Sequence, residues 1–383
     1  MLPFPPEFLF FGLTLVGVAA FHHHTLRVAL IGLAVIVSYK LLMTDFSLHE
    51  HLIHESSTLL NLLGLLVGFE LLADHFRQSK LPSLLPRWLP DDWKGAFVLL
   101  VMVFLISTFL DNIAAAMIGG TIAAVVFQKK VHIGYLAAIV AASNAGGAGS
   151  VVGDTTTTMM WIDGVDPGDV AHAFMASFIA LALFGVPASL LQDKHHRILR
   201  DPTGEIHVDW HRLGVVGLIL AGAILANIWL ELPAVGVWAA LIIGSLFRQP
   251  DWGKIPHATI NASFLLALVL CASMMPVKEL PLPSWETSFG LGFVSAVFDN
   301  IPLTALALKQ GGYDWGHLAF HVGFGGSMVW FGSSAGVALA NDFSEAKDAI
   351  KWVRHGWFIP IAYVIASVAM YLILGWHPHA PHN

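Results

Sequence analysis

Two Asp-Asn pairs constrain this chain more than anything else in it. Asp111–Asn112 and Asp299–Asn300 each stand near the middle of an apolar stretch, at roughly 95–127 and 287–309. A carboxylate at mid-membrane costs about 3 kcal/mol even on lenient insertion scales, so a continuous lipid-facing helix is disfavoured in both stretches. Each is expected to form a re-entrant helical hairpin, with the polar pair at its tip and buried in protein.

The rest of the sequence makes a bilayer the relevant solvent. A span needs about 20 apolar residues. Such runs fall at 7–22, 26–43, 52–73, 132–160 (interrupted), 169–191, 211–230, 233–248, 257–276, 315–340 (interrupted) and 353–375. Of 383 residues, 56% are apolar and only 12% charged, too few to cover a soluble surface of this size. The N-terminal stretch has no basic n-region and reads as the first span, not a signal peptide. The expected fold class is an all-α polytopic membrane protein of about ten spans plus two hairpins. The 13 tryptophans fall largely at span ends, as an interfacial belt requires.

Loop charges give an orientation. With the N-terminus outside and both hairpins returning to the side they left, 16 of the 19 Lys and Arg lie on one face, and only Lys40, Lys278 and Lys309 lie on the other. This positive-inside asymmetry is lost if either hairpin is read as an ordinary span. Both termini are then expected outside, in a bacterial inner membrane. A net charge of −7 with no basic cluster gives no support for nucleic-acid binding. The lone Cys271 excludes an internal disulfide and thiol–metal clusters.

The two halves repeat. Phe109-Leu-Asp111-Asn112-Ile113 matches Val297-Phe-Asp299-Asn300-Ile301, and each pair is followed by a Gly-rich stretch, at 145–153 and 323–336. Three spans, a hairpin, an interrupted span and a final span give five crossings per copy, so the copies must be inverted, a recurring plan of secondary transporters. The expected units are a first repeat at 1–191, a polar cytoplasmic linker at 192–210 and a second repeat at 211–383.

Asp111, Asp154 and Asp299 are the acids placed within these elements, and every Lys and Arg is spent on loops and span ends. Uncompensated buried carboxylates must be protonated, cation-bound or near water, and clustered acids titrate together. Competition of a cation with protons for them is the minimal mechanism of an antiporter. Asn112, Asn300, Asn144, Thr155 and Thr156 would add neutral oxygens, although Asn112 and Asn300 also suit simple capping of the tips. Gly146, Gly147, Gly153, Gly325, Gly326 and Gly332, with Ser150, Ser327, Ser333 and Ser334, would line unwound backbone at the breaks. Asp154 has Ser333 as its counterpart, which makes the first half the more acidic.

Other features are read conservatively. Glu70 is placed at a water-exposed span end. His22-His23-His24 and the 49–54 stretch resemble metal tracts, but Ile53 stands where a zinc-protease His would fall. Interfacial or pH-sensing histidine is expected instead, with His132, His317 and His321 nearest the core. No cofactor is expected.

The strings FLDNIAAAMIGG and SNAGGAGSVVGDTTTTMMW, with VFDNIPLTALAL and GFGGSMVWFGSSAGVALAN in the second half, resemble the signature segments of NhaD-type sodium/proton antiporters of the ion transporter superfamily. The resemblance covers roughly 95–340. It implies exchange of Na+ or Li+ for H+, a scaffold and a moving transport domain, and usually a homodimer. Asp111, Asn112, Asp154, Thr155, Thr156, Asp299 and Asn300 stand on the family's ion-site motifs. The Pro common after the first Asp-Asn-Ile is absent here, whereas Pro302 follows the second. Dicarboxylate and citrate carriers of the superfamily bear Ser-Asn-Thr at the tips, so Asp-Asn disfavours an anion. Arsenite carriers resemble this pattern too. An intramembrane enzyme or sensor is the alternative of another class, and no nucleophile–base pairing supports it.

Overall fold

A computed structural model describes residues 5–21, 24–199 and 207–379. His22 and His23 and part of the expected linker therefore lie outside the described residues. Helices account for the regular structure, with no strand among the described residues. The first half contains α1 (Pro6–Ala20), α2 (Thr25–Met43), α3 (Leu48–Gln78), α4 (Leu81–Leu84), α5 (Trp93–Ser107), α6 (Asn112–Val126), α7 (Ile133–Ala148), α8 (Thr155–Ile162), α9 (Pro167–Ala171) and α10 (Ala173–His195). The second contains α11 (Trp210–Leu230), α12 (Pro233–Ser245), α13 (Ile255–Ser273), α14 (Trp285–Ser295), α15 (Asn300–Gln310), α16 (Trp315–Gly325), α17 (Ser334–Asp342), α18 (Ala349–His355) and α19 (Phe358–Leu374).

The chain is a multi-pass membrane protein. Five helices among the described residues are long and apolar enough to cross a bilayer, or six if α18 and α19, bent by 60°, form one span. This is fewer than the ten expected from hydropathy, because breaks divide the runs at 132–160 and 315–340 into half-helices and because α1 and α12 are short. At 1.5 Å per residue, α7 and α8 reach only about 24 and 12 Å, so neither spans alone. The 31 residues of α3 reach about 46 Å, longer than the hydrocarbon core.

Burial separates two sets of helices. Every residue of α16, and of α7 from Gly134 on, is buried. These half-helices form the centre, packed by α5, α6, α10, α14 and α19. Around them, α1, α2, α11 and α12 present large exposed apolar side chains such as Leu42, Ile31, Trp229 and Ile242, as lipid-facing helices do. Contacts between the sets run through α3 against α8 and α13 against α15. The candidate site lies against that seam.

Candidate functional site

Four helix N-termini converge here, and each begins with an oxygen-bearing side chain. Asp111 Oδ1 accepts from Ile113 N–H at 2.9 Å, Asp154 Oδ1 from Thr156 N–H at 3.0 Å, and Asp299 Oδ1 from Ile301 N–H at 3.0 Å. Ser333 Oγ accepts from Gly336 N–H at 3.3 Å. Each acid thus meets the orphan amides and positive dipole end of α6, α8 or α15, which favour negative charge without a basic side chain. Among the described residues no Lys or Arg lies within ion-pair distance of these three carboxylates.

Capping by the Asp changes what the Asn can do. Asn112 and Asn300 are not the caps; they are the first helical residues of α6 and α15, and their amides are free to reach inward. Asn112 Nδ2 donates to Asn144 Oδ1 at 3.0 Å and to Asp154 Oδ2 at 3.1 Å. Asn300 Nδ2 approaches the same Asp154 oxygen at 3.5 Å. Asn144 Nδ2 in turn donates to Ser327 Oγ at 2.9 Å and Ser333 Oγ at 3.2 Å. A buried chain of amides and hydroxyls therefore joins both tips and both breaks at Asp154. Hydroxyls also meet the tip acids: Thr155 Oγ1 donates to Asp111 Oδ2 at 3.3 Å, and Ser334 Oγ to Asp299 Oδ2 at 2.9 Å. Thr156 is buried but contributes its backbone N–H, its Oγ1 having no partner.

The glycines admit close packing at the breaks, where Gly153, Gly326 and Gly332 lie between the half-helices. Gly146 and Gly147 are still helical, in the last turn of α7. A Cβ on Gly146 would lie 2.1 Å from the Phe104 carbonyl oxygen, and one on Gly153 2.1 Å from that of Ser107. In the second half, Gly325 faces the Gly292 carbonyl at 2.3 Å and Gly332 that of Ala296 at 2.6 Å. They let each hairpin lie directly on its broken helix, as small residues do between membrane helices, while the breaks themselves occupy 149–154 and 326–333. Ser150 ties its break to the hairpin, donating to the Thr108 carbonyl at 2.6 Å.

A cleft of about 90 Å³ opens onto the site along α3 and α13, lined by Glu70, Asp111, Asp154, Thr155, Thr158 and Asn261 among apolar residues. Glu70, expected at a water-exposed span end, keeps a partly exposed side chain and also lines this cleft. Its position near a helix end suggests exposure, and only the packing of α3 on α8 turns it toward the acids. A larger cavity of about 500 Å³, with His51, Glu55, Asp163 and Lys309 in its wall, lies at the opposite end of the same seam. Asp299 lines neither cavity.

The three core histidines each have a polar neighbour. His132 caps α7, its Nδ1 accepting from Gly134 N–H at 3.2 Å. His321 pairs with Ser288 Oγ at 2.8 Å, and His317 sits against Asp314 at 3.2 Å. Among the described residues no three His, Cys, Asp or Glu side chains could together hold a metal ion.

Residues 13–279, more than half of the chain, match the family model described as Citrate transporter, CitMHS. The chain belongs to that family. It is thus a member of a family of transporters. It is also similar to Sodium/proton antiporter 1 of Arabidopsis thaliana, at 27% identity over 80% of this chain and 58% of that protein. Sodium/proton antiporter 2 of the same plant is 27% identical over 70% of this chain and 72% of its own. The Na(+)/H(+) antiporter NhaD of Alkalimonas amylolytica is 26% identical over 71% and 67%. The chain therefore spans little more than half the length of the first of these relatives.

Proposed function

We propose that the chain is a secondary transporter exchanging Na+ or Li+ for H+, with cation and proton competing for the carboxylates of Asp111, Asp154 and Asp299, which do not all three hold one ion together. The observation that carries this reading is the cleft wall: the carboxylates of Glu70, Asp111 and Asp154, neutral oxygens from Thr155, Thr158 and Asn261, and no Lys or Arg among the described residues. A carboxylate as buried as Asp154, 2% exposed, either takes up a proton or holds a cation. Hard oxygen donors suit an alkali cation. Entry of the cation would displace the proton from Asp154 and Asp111, and return of the proton would expel the cation.

Alternating access would follow from the seam. The hairpins and broken helices would move as one body against α3 and α13, so that the site, now facing the small cleft, comes to face the larger cavity. That the halves are inverted repeats, and that the basic face is cytoplasmic, are parts of this proposal, supported by the matching tips and breaks and by the segregated Lys and Arg. The similarity to proteins named sodium/proton antiporters agrees with it.

The family's description favours a second reading, carriage of citrate. The cleft opposes it, because a polyanion would meet three carboxylates in a space suited to a small ion and a few waters. Everted vesicles loaded by acidification and carrying a pH dye distinguish the two. Addition of Na+ or Li+ is expected to collapse the pH gradient, whereas K+, citrate and arsenite should not. Well-inserted protein that gives no response to any cation from neutral to alkaline pH would sink the exchange reading, and a response to citrate alone would replace it.

A further inference from the structure

Glu70 is the one carboxylate in the cleft wall that neither a hairpin tip nor a break supplies. It lies on α3, across the cleft from Asp111 and Asp154. Glu70 Oε1 accepts from Arg77 Nη2 at 3.0 Å, two turns along the same helix. The Glu70 and Arg77 side chains are 39% and 35% exposed, so the pair is weak and readily exchanged for another partner. Arg77 does not line the cleft. Among the described residues, a cation approaching the site thus meets Glu70 as the only cleft carboxylate outside the buried network, with the competing guanidinium set back from the path.

We propose that Glu70 is a relay carboxylate, which draws the cation into the cleft and passes it to Asp111 and Asp154, while Arg77 is the alternate partner that holds Glu70 between cations. The proposal rests on the cation exchange described above and adds to it a residue on the facing wall. With Glu70 neutralised, the attracting charge is gone and the Arg77 guanidinium, two turns along α3, is left uncompensated. With Arg77 neutralised, Glu70 attracts them without a competitor. The two substitutions therefore move cation affinity in opposite directions, whereas an ion pair that merely braces α3 responds alike to loss of either member.

The test uses the full chain in proteoliposomes, measuring initial rates of pH-driven ²²Na+ uptake against Na+ concentration, with ²²Na+ binding to the detergent-purified protein as a second readout. Glu70→Gln is expected to raise KM for Na+ about tenfold with a maximal rate within about twofold of wild type. Arg77→Gln should lower KM about threefold, and Glu70→Asp, which keeps the charge, should stay near wild type. Unchanged KM in Glu70→Gln beside an active wild type would overturn the relay alone. So would KM shifts of the same sign in both variants, or a lost maximal rate at unchanged KM. Should Glu70→Gln fail to fold, a KM in Arg77→Gln at or above wild type overturns it equally. Wild-type protein that neither binds nor exchanges Na+ overturns the function itself and the relay with it.

Discussion

The hairpin and broken helix of the first half and those of the second share one local geometry and differ in charge. In both, an aspartate caps the second arm of the hairpin through the amide two residues on, and its other oxygen accepts a hydroxyl proton from the start of the facing half-helix. In both, the cap of that half-helix sits at the centre. That cap is Asp154 in the first half and Ser333 in the second. The comparison teaches that the frame does not require charge at its centre. A serine closes the second break as well as an aspartate closes the first. The carboxylate of Asp154, joined to Asn144 through Asn112, is therefore an addition to the frame, as the proposed transport site requires.

The largest effect should come from erasing that difference. Asp154→Ser, which copies the second half into the first, is expected to reduce Na+-dependent exchange at least about 100-fold, while Ser333→Ala should cost only about threefold to tenfold. Dye-based exchange rates at matched protein levels check both. Comparable losses would mean that the caps are equivalent and that charge is not what distinguishes them.

The glycines allow a second contrast. Gly153→Ala would drive a methyl group into the Ser107 carbonyl and is expected to cost roughly 2–3 kcal/mol. Gly323, whose nearest neighbours to a Cβ are Ala148 Cβ at 3.5 Å and Asp154 Oδ2 at 3.7 Å, should tolerate Ala with little change in melting temperature. Thermal unfolding in detergent separates the two. Equal melting temperatures would contradict the direct packing of hairpin on broken helix.

Much of this frame is legible in the sequence because its signals are local. An Asp-Asn pair inside an apolar run marks a tip, and dense Gly followed by Asp-Thr or Ser-Ser marks a break, since each is costly in lipid anywhere else. Three things are not legible. The cap falls on the Asp instead of the Asn, which only backbone geometry decides, and that frees Asn112 and Asn300 for Asp154. The Asn144–Ser327 bond joins residues 183 positions apart, a distance at which no sequence pattern acts. Glu70 reads as a helix-end residue until α3 packs on α8. The glycines were visible, but whether a glycine unwinds a helix or admits a neighbour depends on what lies opposite.

Smaller effects sharpen the comparison at its edges. Thr155→Ala and Ser334→Ala each remove a hydroxyl from a tip acid and should slow exchange about threefold to tenfold. The loss should be greater for Thr155, whose acid lines the cleft while Asp299 does not. Outside the membrane, Asp209 begins α11 and accepts from Arg248 Nε at 2.7 Å at the end of α12. That guanidinium, with the amides of Arg212 and His211, holds its carboxyl below the usual carboxylate range. Its stabilising contribution is present above the unfolded value of about 4 and is lost as pH falls through the lower folded value. Asp209→Asn should therefore bring melting temperatures closer to those of wild type as the solution is acidified, a small shift beside the others. A difference that grows in acid would contradict the assignment.

The central claim is that cation and proton compete for the same buried carboxylates. It is tested most directly by adding Na+ to the purified protein in weakly buffered detergent solution and recording proton release. Wild type is expected to release protons as it saturates with Na+, and Asp154→Asn to release few or none. Na+ binding without proton release, or undiminished release from Asp154→Asn, would contradict it.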